Sequence, residues 1–524
     1  MLIGIDIGTS GTKAVAIGAD GPGAGRVLGV GSSPHELLQP KPGWTEQSPL
    51  MWWRATCAAV REAVAASGRD GASVTGIGFS GQMHGSVFLD QTALDAAGSA
   101  EIEAIRPALL WNDQRTAAQC MRIEEAVGGR AALVDRVGNA ALTGFTAPKI
   151  LWFIEHEPEL AARVTAVCLP KDYVRLCMTG ELFGDVSDCA GTLVFDPVAR
   201  TWADDVIAAL GMAREHFPDV VESAAPAGRL TAWGAGQLGL SEGAVVAAGA
   251  GDNQAGAVGA GVAEPGMVLA SLGTSGVIYA HAPHPMKDVG AAGSPAGRVH
   301  TMCSATGDVR GSGEWSITGC MLSAAGALAW ARETIAPGMA FDELLAEAEA
   351  APAGCEGLAF LPYLTGERCP HPDPAARGGW IGLTGRHGRG HLIRAVIEGV
   401  TFGMGQMLEI VRGMGVPIES VRLSGGGNKS EAWRQVQADV YAAPVVSLEA
   451  EEGPAFGGAL LGGVAAGVWP NVAEACSATI RVAETREPGA EAPRYAEPRA
   501  IYASLYETLR ETMHRQSAVA SGSG

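Results

Sequence analysis

The sequence is poor in basic residues, which argues against several classes of partner. Its 524 residues include only 37 Lys and Arg against 56 Asp and Glu, giving a formal net charge of −19. Because nucleic acids and anionic membranes attract basic surfaces, we expect neither as a partner. The sequence also lacks any run of about 18 uninterrupted apolar residues, so no transmembrane helix is expected. A small-molecule substrate suits this composition better.

Metal-binding and secretory patterns are also missing. The 10 cysteines are scattered, and no two stand at the spacing of zinc ligands, so we expect reduced thiols in the core or at the surface. Asp6 and a glycine turn interrupt the apolar N-terminal stretch, so no secretory leader is expected and the predicted location is the cytoplasm. The length predicts two to three domains.

Residues 2–15, LIGIDIGTSGTKAV, combine an apolar strand with a carboxylate and a tight turn. The isoleucines favour a strand, and the Gly-Thr-Ser-Gly turn at residues 8–11 can direct backbone N–H groups at a phosphate. Asp6, at the end of this strand, is a candidate ligand for the metal ion of that phosphate. An ordinary N-terminal hairpin is the alternative, since glycine-rich turns are common.

The same tetrapeptide occurs a second time, at residues 273–276, which is 265 residues after the first copy and close to half the length of the chain. Each copy follows an apolar strand pattern. One such tetrapeptide is a weak signal, but two copies that open two halves indicate a duplicated fold. We place the start of the second half near residue 244.

Polar and aromatic residues follow two further predicted strands, at residues 74–80 and 107–110. In open α/β sheets, ligands collect at the carboxyl ends of strands, and an aromatic face beside a carboxylate is typical of sugar recognition. The alternatives are a core position for Trp111, a helix N-cap for Asp113 and a buried loop position for His84. The candidate residues at these strand ends are Gln82, Met83, His84, Trp111 and Asp113.

Two strand-to-helix turns in the second half carry further candidates. The strand at residues 244–248 breaks at glycines into Asp252, and the strand at residues 421–424 ends in three consecutive glycines before Asn428. Because glycine has no Cβ, the backbone there can approach a nucleotide closely. The alternatives are a helix N-cap for Asp252 and a plain strand-to-helix turn for residues 425–427.

Together these residues resemble the FGGY family of carbohydrate kinases, within the actin/hexokinase superfamily. The resemblance extends from Leu2 to about Trp469. Two segments are similar to the family signatures: residues 144–156, built on Lys149 and Trp152, and residues 378–399, ending in Glu-Gly.

The resemblance implies an α/β fold of two duplicated actin/hexokinase-like (ribonuclease H-like) domains with an interdomain catalytic cleft. We expect a sugar-binding N-terminal domain over residues 1–243 and a C-terminal domain over residues 244–485 that binds ATP and carries the catalytic aspartate. Residues 486–524 are expected to form a helix followed by a flexible tail over residues 517–524. The glycine- and alanine-rich residues 288–310 stay unassigned.

Within the family, residues 80–85 and 169–173 are most similar to the xylulose kinases, whereas glycerol kinases carry Gln-Arg-Glu where this chain has Gln-Met-His. The resemblance therefore implies transfer of the γ-phosphoryl group of ATP to the primary hydroxyl of D-xylulose, which gives D-xylulose 5-phosphate. Asp252 would accept the hydroxyl proton, and Asp6 would hold Mg²⁺, mostly through water.

The resemblance also implies the remaining contacts of both substrates. The residues expected at the phosphates are Gly8, Thr9, Ser10, Thr12, Lys13, Gly273 and Thr274. The residues expected beside the adenosine are Gly425, Gly426 and Asn428. The residues expected around the sugar are Gln82, Met83, His84, Trp111, Asp113 and Asn253.

Two other functions stay open at this point. The first is a kinase of the same family that acts on another ketose or polyol, such as ribulose or a hexulose, because a few hydroxyl contacts decide the preference. The second is a non-catalytic, ATP-dependent sugar sensor, which the presence of both Asp6 and Asp252 disfavours. The expected partners are the sugar and ATP, with a homodimer as the expected assembly.

Overall fold

The computed structural model describes residues 1–290, 294–307, 314–449 and 453–520. No helix within these ranges is long and apolar enough to cross a membrane. The strands are β1 (Leu2–Ile7), β2 (Gly11–Ile17), β3 (Val27–Pro34), β4 (Glu46–Gln47), β5 (Gly76–Gly81), β6 (Val87–Leu89), β7 (Ala108–Leu109), β8 (Ala166–Cys168), β9 (Phe183–Asp185), β10 (Phe195–Asp196), β11 (Thr201–Trp202), β12 (Asp219–Val221), β13 (Pro226–Arg229), β14 (Val245–Ala247), β15 (Ala250–Gly251), β16 (Gly266–Leu272), β17 (Gly276–Ala282), β18 (His300–Cys303), β19 (Trp315–Met321), β20 (Ala359–Leu361), β21 (Gly379–Ile381), β22 (Ile418–Ser424), β23 (Val445–Leu448) and β24 (Val482–Arg486).

The α-helices alternate with these strands along the chain. They are α1 (Pro49–Ser67), α2 (Gln91–Ala96), α3 (Ala117–Ala126), α4 (Arg130–Val137), α5 (Thr146–His156), α6 (Pro158–Ala161), α7 (Pro170–Thr179), α8 (Val186–Cys189), α9 (Asp204–Ala209), α10 (Ala232–Leu238), α11 (Asp252–Gly259), α12 (Ala325–Ile335), α13 (Phe341–Glu349), α14 (Arg389–Gly413), α15 (Glu431–Tyr441), α16 (Gly453–Ala465), α17 (Val472–Thr479) and α18 (Ala496–Ala520).

The chain divides into two compact units, and neither is one continuous segment. Unit 1 consists of Met1–Glu264, His281–Ser316 and Ala450–Ile480, and unit 2 consists of Pro265–Ala280, Ile317–Glu449 and Arg481–Gly524. The segments β14, α11 and α16, which the sequence analysis assigned to the second domain, therefore lie in unit 1. The predicted domain boundaries, after residues 243 and 485, stay a prediction.

The main sheet of unit 1 has the order β13-β14-β5-β1-β2-β3. Strand β2 is antiparallel to both of its neighbours, β1 and β3. Strand β5 runs parallel to β1, and β14 runs parallel to β5. The carboxyl ends of β1 and β5 therefore lie at the same edge of the sheet, where the alternation of side chains places Asp6 next to Ser80.

Helix α16 packs closely on this sheet because glycines line the contact. A Cβ on Gly4 would lie 1.8 Å from the Ala455 carbonyl oxygen, and one on Gly78 would lie 2.0 Å from the Gly458 carbonyl oxygen. Any larger residue at either strand position would push the helix away. This close approach explains why a helix so late in the sequence belongs to unit 1.

The main sheet of unit 2 repeats the connectivity of the first. Its strands β17, β16, β22, β23 and β24 follow one another in that order, as do β2, β1, β5, β14 and β13 in unit 1. In both, an antiparallel hairpin is joined by two parallel strands and then by an antiparallel edge strand. The duplication predicted from the two Gly-Thr-Ser-Gly turns is confirmed.

Two predictions about the later chain need correction or restriction. Helix α18 continues to Ala520, so residues 517–520, which the sequence analysis placed in a flexible tail, are helical. Residues 521–524 lie outside the described residues. Of the unassigned residues 288–310, the described part contains β18, whereas residues 291–293 and 308–310 lie outside the described residues.

Candidate active site

Asp6 and Asp252 lie at one edge of the unit 1 sheet. Asp6 is near the end of β1, and its Oδ1 accepts a hydrogen bond of 2.7 Å from Ser80 Oγ on β5. Asp252 directly follows β15, whose Gly251 pairs with Gly81 at the end of β5. Asp252 is the first residue of α11 rather than its cap, because Gly251 holds the cap position. Both carboxylates are half-buried.

Burial raises the pKa of both carboxylates, because it disfavours the ionised form. The pKa of Asp252 is raised to about 7, first by burial and then by the negative charge of Asp6, while the Asn253 amide opposes the rise. Burial also raises the pKa of Asp6, against the opposing effects of the Ser80 hydrogen bond and the Lys13 charge. An Asp252 that titrates near neutral pH is suited to accept a proton, and a cation between the two groups would relieve their repulsion.

The loop after β5 reaches the start of α11. Asn253 Nδ2 donates to Met83 Sδ at 3.7 Å, so two of the predicted sugar-binding residues are in contact beside Asp252. His84 Nδ1 donates to the Gly191 carbonyl at 2.8 Å, and its backbone φ of 67° is left-handed. Gln82 is buried and uses its amide group on Gln47. Gln82 therefore stabilises the loop through a buried hydrogen bond and does not face solvent.

Trp111 and Asp113 differ in their accessibility. Trp111 is 42% exposed, which excludes the core alternative, and its Nε1 donates to Thr9 Oγ1 at 2.8 Å. Asp113 is completely buried, and its carboxylate accepts hydrogen bonds from the Arg115 guanidinium and, at 2.7 Å, from the Thr45 amide. The structure therefore brings Trp111 to the Gly8 turn and encloses Asp113, whose carboxylate is bound by Arg115 and Thr45. Asp113 is not a helix cap either, because Thr116 precedes α3.

His35 braces the first Gly-Thr-Ser-Gly turn, although no sequence pattern pointed to it. Its Nε2 lies 2.9 Å from Thr12 Oγ1, and its Nδ1 lies 3.1 Å from the Gly8 carbonyl oxygen. The Gly8 amide donates to the Gly11 carbonyl at 3.0 Å. Thr12 and the Gly8 amide are thus engaged inside the turn, and Ser10 is the exposed residue at its tip.

Lys13 lies beside Asp6 in the register of the first hairpin, since the two residues pair across β1 and β2. Its charge opposes the rise of the Asp6 pKa. Thr9 connects the turn to both neighbouring loops, because its hydroxyl donates to Gln82 Oε1 at 3.2 Å and accepts the Trp111 indole N–H. The turn, the β5 loop and Trp111 therefore form one hydrogen-bonded wall.

Unit 2 contains a cavity of about 520 Å³ beside the second Gly-Thr-Ser-Gly turn. The turn holds the start of α12 in place, because the Ala325 amide donates to the Gly273 carbonyl and the Ala324 amide to the Thr274 carbonyl. Most of the lining is apolar, which suits a planar base. The lining residues are Leu272, Gly273, Thr274, Ala325, Gly326, Leu328, Ala329, Phe341, Asp342, Leu345, Gly426, Gly427, Lys429, Ser430 and Trp433.

The glycine turn after β22 forms one side of this cavity. Gly425 has a φ of 90°, and a Cβ there would lie 2.6 Å from the Leu272 carbonyl oxygen, so only glycine fits the turn. Gly426 faces open space, as a Cβ on it would meet no atom within 4 Å. Asn428 is buried and donates to the Ser424 carbonyl, so it closes the turn and is not among the lining residues.

Comparison with known proteins agrees with this architecture. Residues 1–259 match the N-terminal domain of the FGGY family of carbohydrate kinases, and residues 268–466 match the C-terminal domain of the same family. The chain belongs to the FGGY family of carbohydrate kinases. Membership in this family implies an ATP-dependent sugar kinase, with a sugar and ATP as substrates.

Similar proteins cover nearly the whole chain. It is 38% identical over 511 residues to the xylulose kinase of Bacillus subtilis (strain 168), covering 97% of each protein. It is 37% identical over 517 residues to the xylulose kinase of Escherichia coli (strain K12), covering 98% of each. The structure is also similar to that of a "xyloylose kinase" from Brucella ovis, with a TM-score of 0.87 and 35% identity over 98% of this chain and 99% of that one. The predicted fold class is confirmed by these family members.

The family assignment leaves several residues of the site that the sequence analysis did not identify. His35 and the α12 and α13 lining of the unit 2 cavity belong to no recognisable motif, because they reach the site only through tertiary packing. Lys149 was recognised as part of a family signature, but nothing in the sequence indicated which groups it contacts.

Proposed function

We propose that this FGGY-family kinase transfers the γ-phosphoryl group of ATP to the primary hydroxyl of D-xylulose and forms D-xylulose 5-phosphate. The observation that carries the proposal is Asp252, half-buried beside Asp6, with a pKa raised to about 7. The choice of sugar is supported by relatives named xylulose kinases that match 97% or more of this chain at 37–38% identity.

Asp252 is the proposed base. Its carboxylate would accept a hydrogen bond from the sugar hydroxyl and take up the proton as the new oxygen–phosphorus bond forms and the bond to the ADP oxygen breaks. Phosphoryl transfer passes through a loose transition state, so the proton leaves late and the base mainly orients the hydroxyl. A pKa near the working pH gives a base that is both ionised and basic enough to accept this proton.

The wall formed by the β5 loop and Trp111 is the proposed sugar site. The exposed Trp111 ring offers an apolar face to the C–H groups of the sugar, and the half-buried Asn253 amide can donate to one hydroxyl and accept from another. Met83 and His84 complete the wall, while Gln82 acts through Thr9. Asp113 is not part of the proposed contacts because its carboxylate is enclosed.

The unit 2 cavity is the proposed nucleotide site. Its apolar lining suits adenine, and the adjoining turn offers backbone amides to phosphate groups. The Gly8 and Gly273 amides are engaged within their own turns, donating to the Gly11 and Ser275 carbonyls. Phosphate contacts in both hairpins are therefore assigned to the residues that follow, including Thr9, Ser10 and Thr274.

Magnesium fits the carboxylates of unit 1. No group of three or more metal-ligating side chains occurs in the part of the chain that the structure describes. Mg²⁺ does not require one, because it is commonly held by one or two carboxylates, substrate phosphates and water. Asp6, whose pKa is raised by burial, would hold the ion, which neutralises charge on the phosphate groups when bound.

The proposal is tested by a coupled assay for ADP formation with ATP, Mg²⁺ and a panel of ketoses and polyols. We expect the highest kcat/KM with D-xylulose. A preference of about tenfold or more for ribulose, a hexulose or a polyol would replace the proposed substrate, since that ratio corresponds to about 1.4 kcal/mol of transition-state binding. Binding of sugar and ATP without turnover of any panel member would instead indicate the sensor.

Two further expectations stay proposals. Cytoplasmic location would be checked by cell fractionation, and a homodimer by sedimentation of the purified protein. Sedimentation at the 53.6 kDa mass of one chain would contradict the dimer.

A further inference from the structure

Lys149, in α5, is a fully buried lysine whose ammonium group donates to backbone carbonyl oxygens. Its Nζ donates to the carbonyl oxygens of His84 at 2.8 Å, Leu110 at 2.9 Å and Gly144 at 2.9 Å, with Leu109 more distant at 3.4 Å. An ammonium group has three N–H donors, and the three short contacts use them all. A buried cation costs free energy unless its hydrogen bonds are satisfied, so this arrangement is specific.

The three carbonyls come from three separate segments of unit 1. His84 lies in the loop after β5, Leu110 immediately precedes Trp111, and Gly144 lies just before α5. Gly144 also approaches the Trp111 backbone so closely that a Cβ on it would lie 2.2 Å from the Trp111 carbonyl oxygen. One side chain therefore fastens together both loops of the proposed sugar site.

The carbonyl oxygen of His84 accepts hydrogen bonds from two side chains. Besides Lys149, Thr146 Oγ1 donates to it at 3.0 Å. His84 has a left-handed backbone conformation, with a φ of 67°, which is costly for a residue other than glycine and persists only where its surroundings impose it. Two donors on this carbonyl supply that constraint.

The charged side chains that influence Lys149 are those of Asp113 and Arg115, which neutralise each other. Burial lowers the pKa of Lys149 to about 7, while the charge of Asp113 opposes this effect and that of Arg115 adds to it. Asp113 and Arg115 form a buried ion pair of 2.7 Å, and the Arg115 guanidinium lies over the ring of Trp152, 4.7 Å from its centre. The signature residues Lys149 and Trp152 thus belong to one buried assembly behind the loop of Trp111.

We propose that Lys149 is a positioning residue of the sugar site: its ammonium group fixes the loops that present His84 and Trp111. The inference rests on the proposed function, because it takes these loops as the sugar wall. It assigns Lys149 no contact with substrate. Loss of Lys149 should therefore lower kcat/KM for the sugar and leave the nucleotide cavity of unit 2 unaffected.

The test uses Lys149→Met in the full chain, which keeps the length of the side chain and removes the donors. Leu151→Ala is the matched control, because Leu151 is buried in the same helix and contributes only to the apolar core. We expect the sugar kcat/KM of Lys149→Met to fall by about tenfold or more, with the KM for ATP within about twofold of the original value. The control should change neither value by more than about twofold.

Hydrogen exchange measured by mass spectrometry provides a readout that does not depend on turnover. Lys149→Met should exchange faster in peptides that cover residues 82–86 and 110–116, and Leu151→Ala should not. Thr146→Val, a milder change that removes only the second donor to His84, should accelerate the first peptide alone. Lys149→Gln, which shortens the side chain and removes the ammonium charge but keeps a polar amide, keeps the test decisive if Lys149→Met does not fold, because both peptides should then exchange faster in it.

The two proposals fail in different ways. Unchanged exchange of both loops in Lys149→Met, or in Lys149→Gln where Lys149→Met does not fold, would overturn the positioning role. An unchanged sugar kcat/KM in Lys149→Met would also overturn it. If the original enzyme phosphorylates no sugar of the panel, the proposed function fails, and the exchange measurements still decide whether Lys149 holds the loops.

Discussion

Replacement of Asp252 by asparagine should stabilise the protein while it abolishes the proposed activity. Asparagine has nearly the same shape as aspartate but cannot ionise, so it removes a charge that is buried beside Asp6. The pKa of Asp252 is about 7 in the folded chain against an ordinary value of 3.8. The folded state thus holds the proton more tightly than the unfolded state, and the stability of the original protein should fall as the pH rises from about 4 to about 7.

The size of the effect follows from that difference. At about 1.4 kcal/mol per pH unit, a rise from 3.8 to about 7 corresponds to at most about 4 kcal/mol above pH 7. Asp252 is only half-buried, so solvent screens part of this cost, and we expect on the order of 1–3 kcal/mol. This amounts to a rise in the unfolding midpoint of about 1–3 °C above pH 7 for a chain of 524 residues, and the rise vanishes toward pH 4.

The assay is thermal unfolding from pH 4 to pH 8.5 without nucleotide or Mg²⁺. Asp90→Asn is the matched control, because the Arg163 hydrogen bond lowers the pKa of Asp90, and its replacement should therefore destabilise the protein above pH 4. An equal unfolding midpoint for Asp252→Asn and the original protein at pH 8 would refute the placement of a desolvated Asp252 beside Asp6. Retained turnover in Asp252→Asn would refute its role as the base.

Three further predictions concern the pH dependence, the buried ion pair and the nucleotide cavity. The kcat/KM for the sugar should fall about tenfold per pH unit below pH 7 as Asp252 becomes protonated, and a flat profile from pH 5.5 to 7 would contradict this. Asp113→Ala removes one of the two buried carboxylates that pair with Arg115, which keeps its 2.8 Å ion pair with Glu46, and should cost about 1.5–3 kcal/mol in urea unfolding; a cost below about 0.5 kcal/mol would contradict the pairing. Gly426→Leu should fill the cavity and raise the KM for ATP about tenfold or more, whereas Gly413→Leu, where a Cβ also meets no atom within 4 Å, should leave it unchanged.

Local patterns were sufficient for much of the fold. The apolar strand followed by Gly-Thr-Ser-Gly predicted both hairpins, because strand preference and turn chemistry depend on neighbouring residues. The repeat of that pattern predicted the duplication that the two sheets show. The limits of α18 were less well predicted, since residues 514–520 contain no glycine or proline to mark a helix end and the helix continues to Ala520.

Which segments belong to each unit depended on contacts between residues that are distant in the sequence. Helix α16 packs on β1 and β5 because Gly4 and Gly78 allow its backbone to approach closely. Nothing in the sequence around either glycine indicates that α16 is the helix that contacts it. The same holds for Asp113, whose sequence context suits sugar recognition but whose carboxylate is enclosed by Arg115 and Thr45. Burial of a polar group is decided by the packing of other segments.

The sequence by itself determined the duplicated hairpins, the candidate aspartates and the resemblance to a carbohydrate kinase family, because motif, turn and strand patterns are local. The tertiary structure alone decided that Asp6 and Asp252 lie close enough to raise the pKa of Asp252. It also decided that Lys149 binds carbonyls from three separate segments. Distances between remote residues set both the electrostatics and the hydrogen bonds, and these distances exist only once the strands and helices have packed.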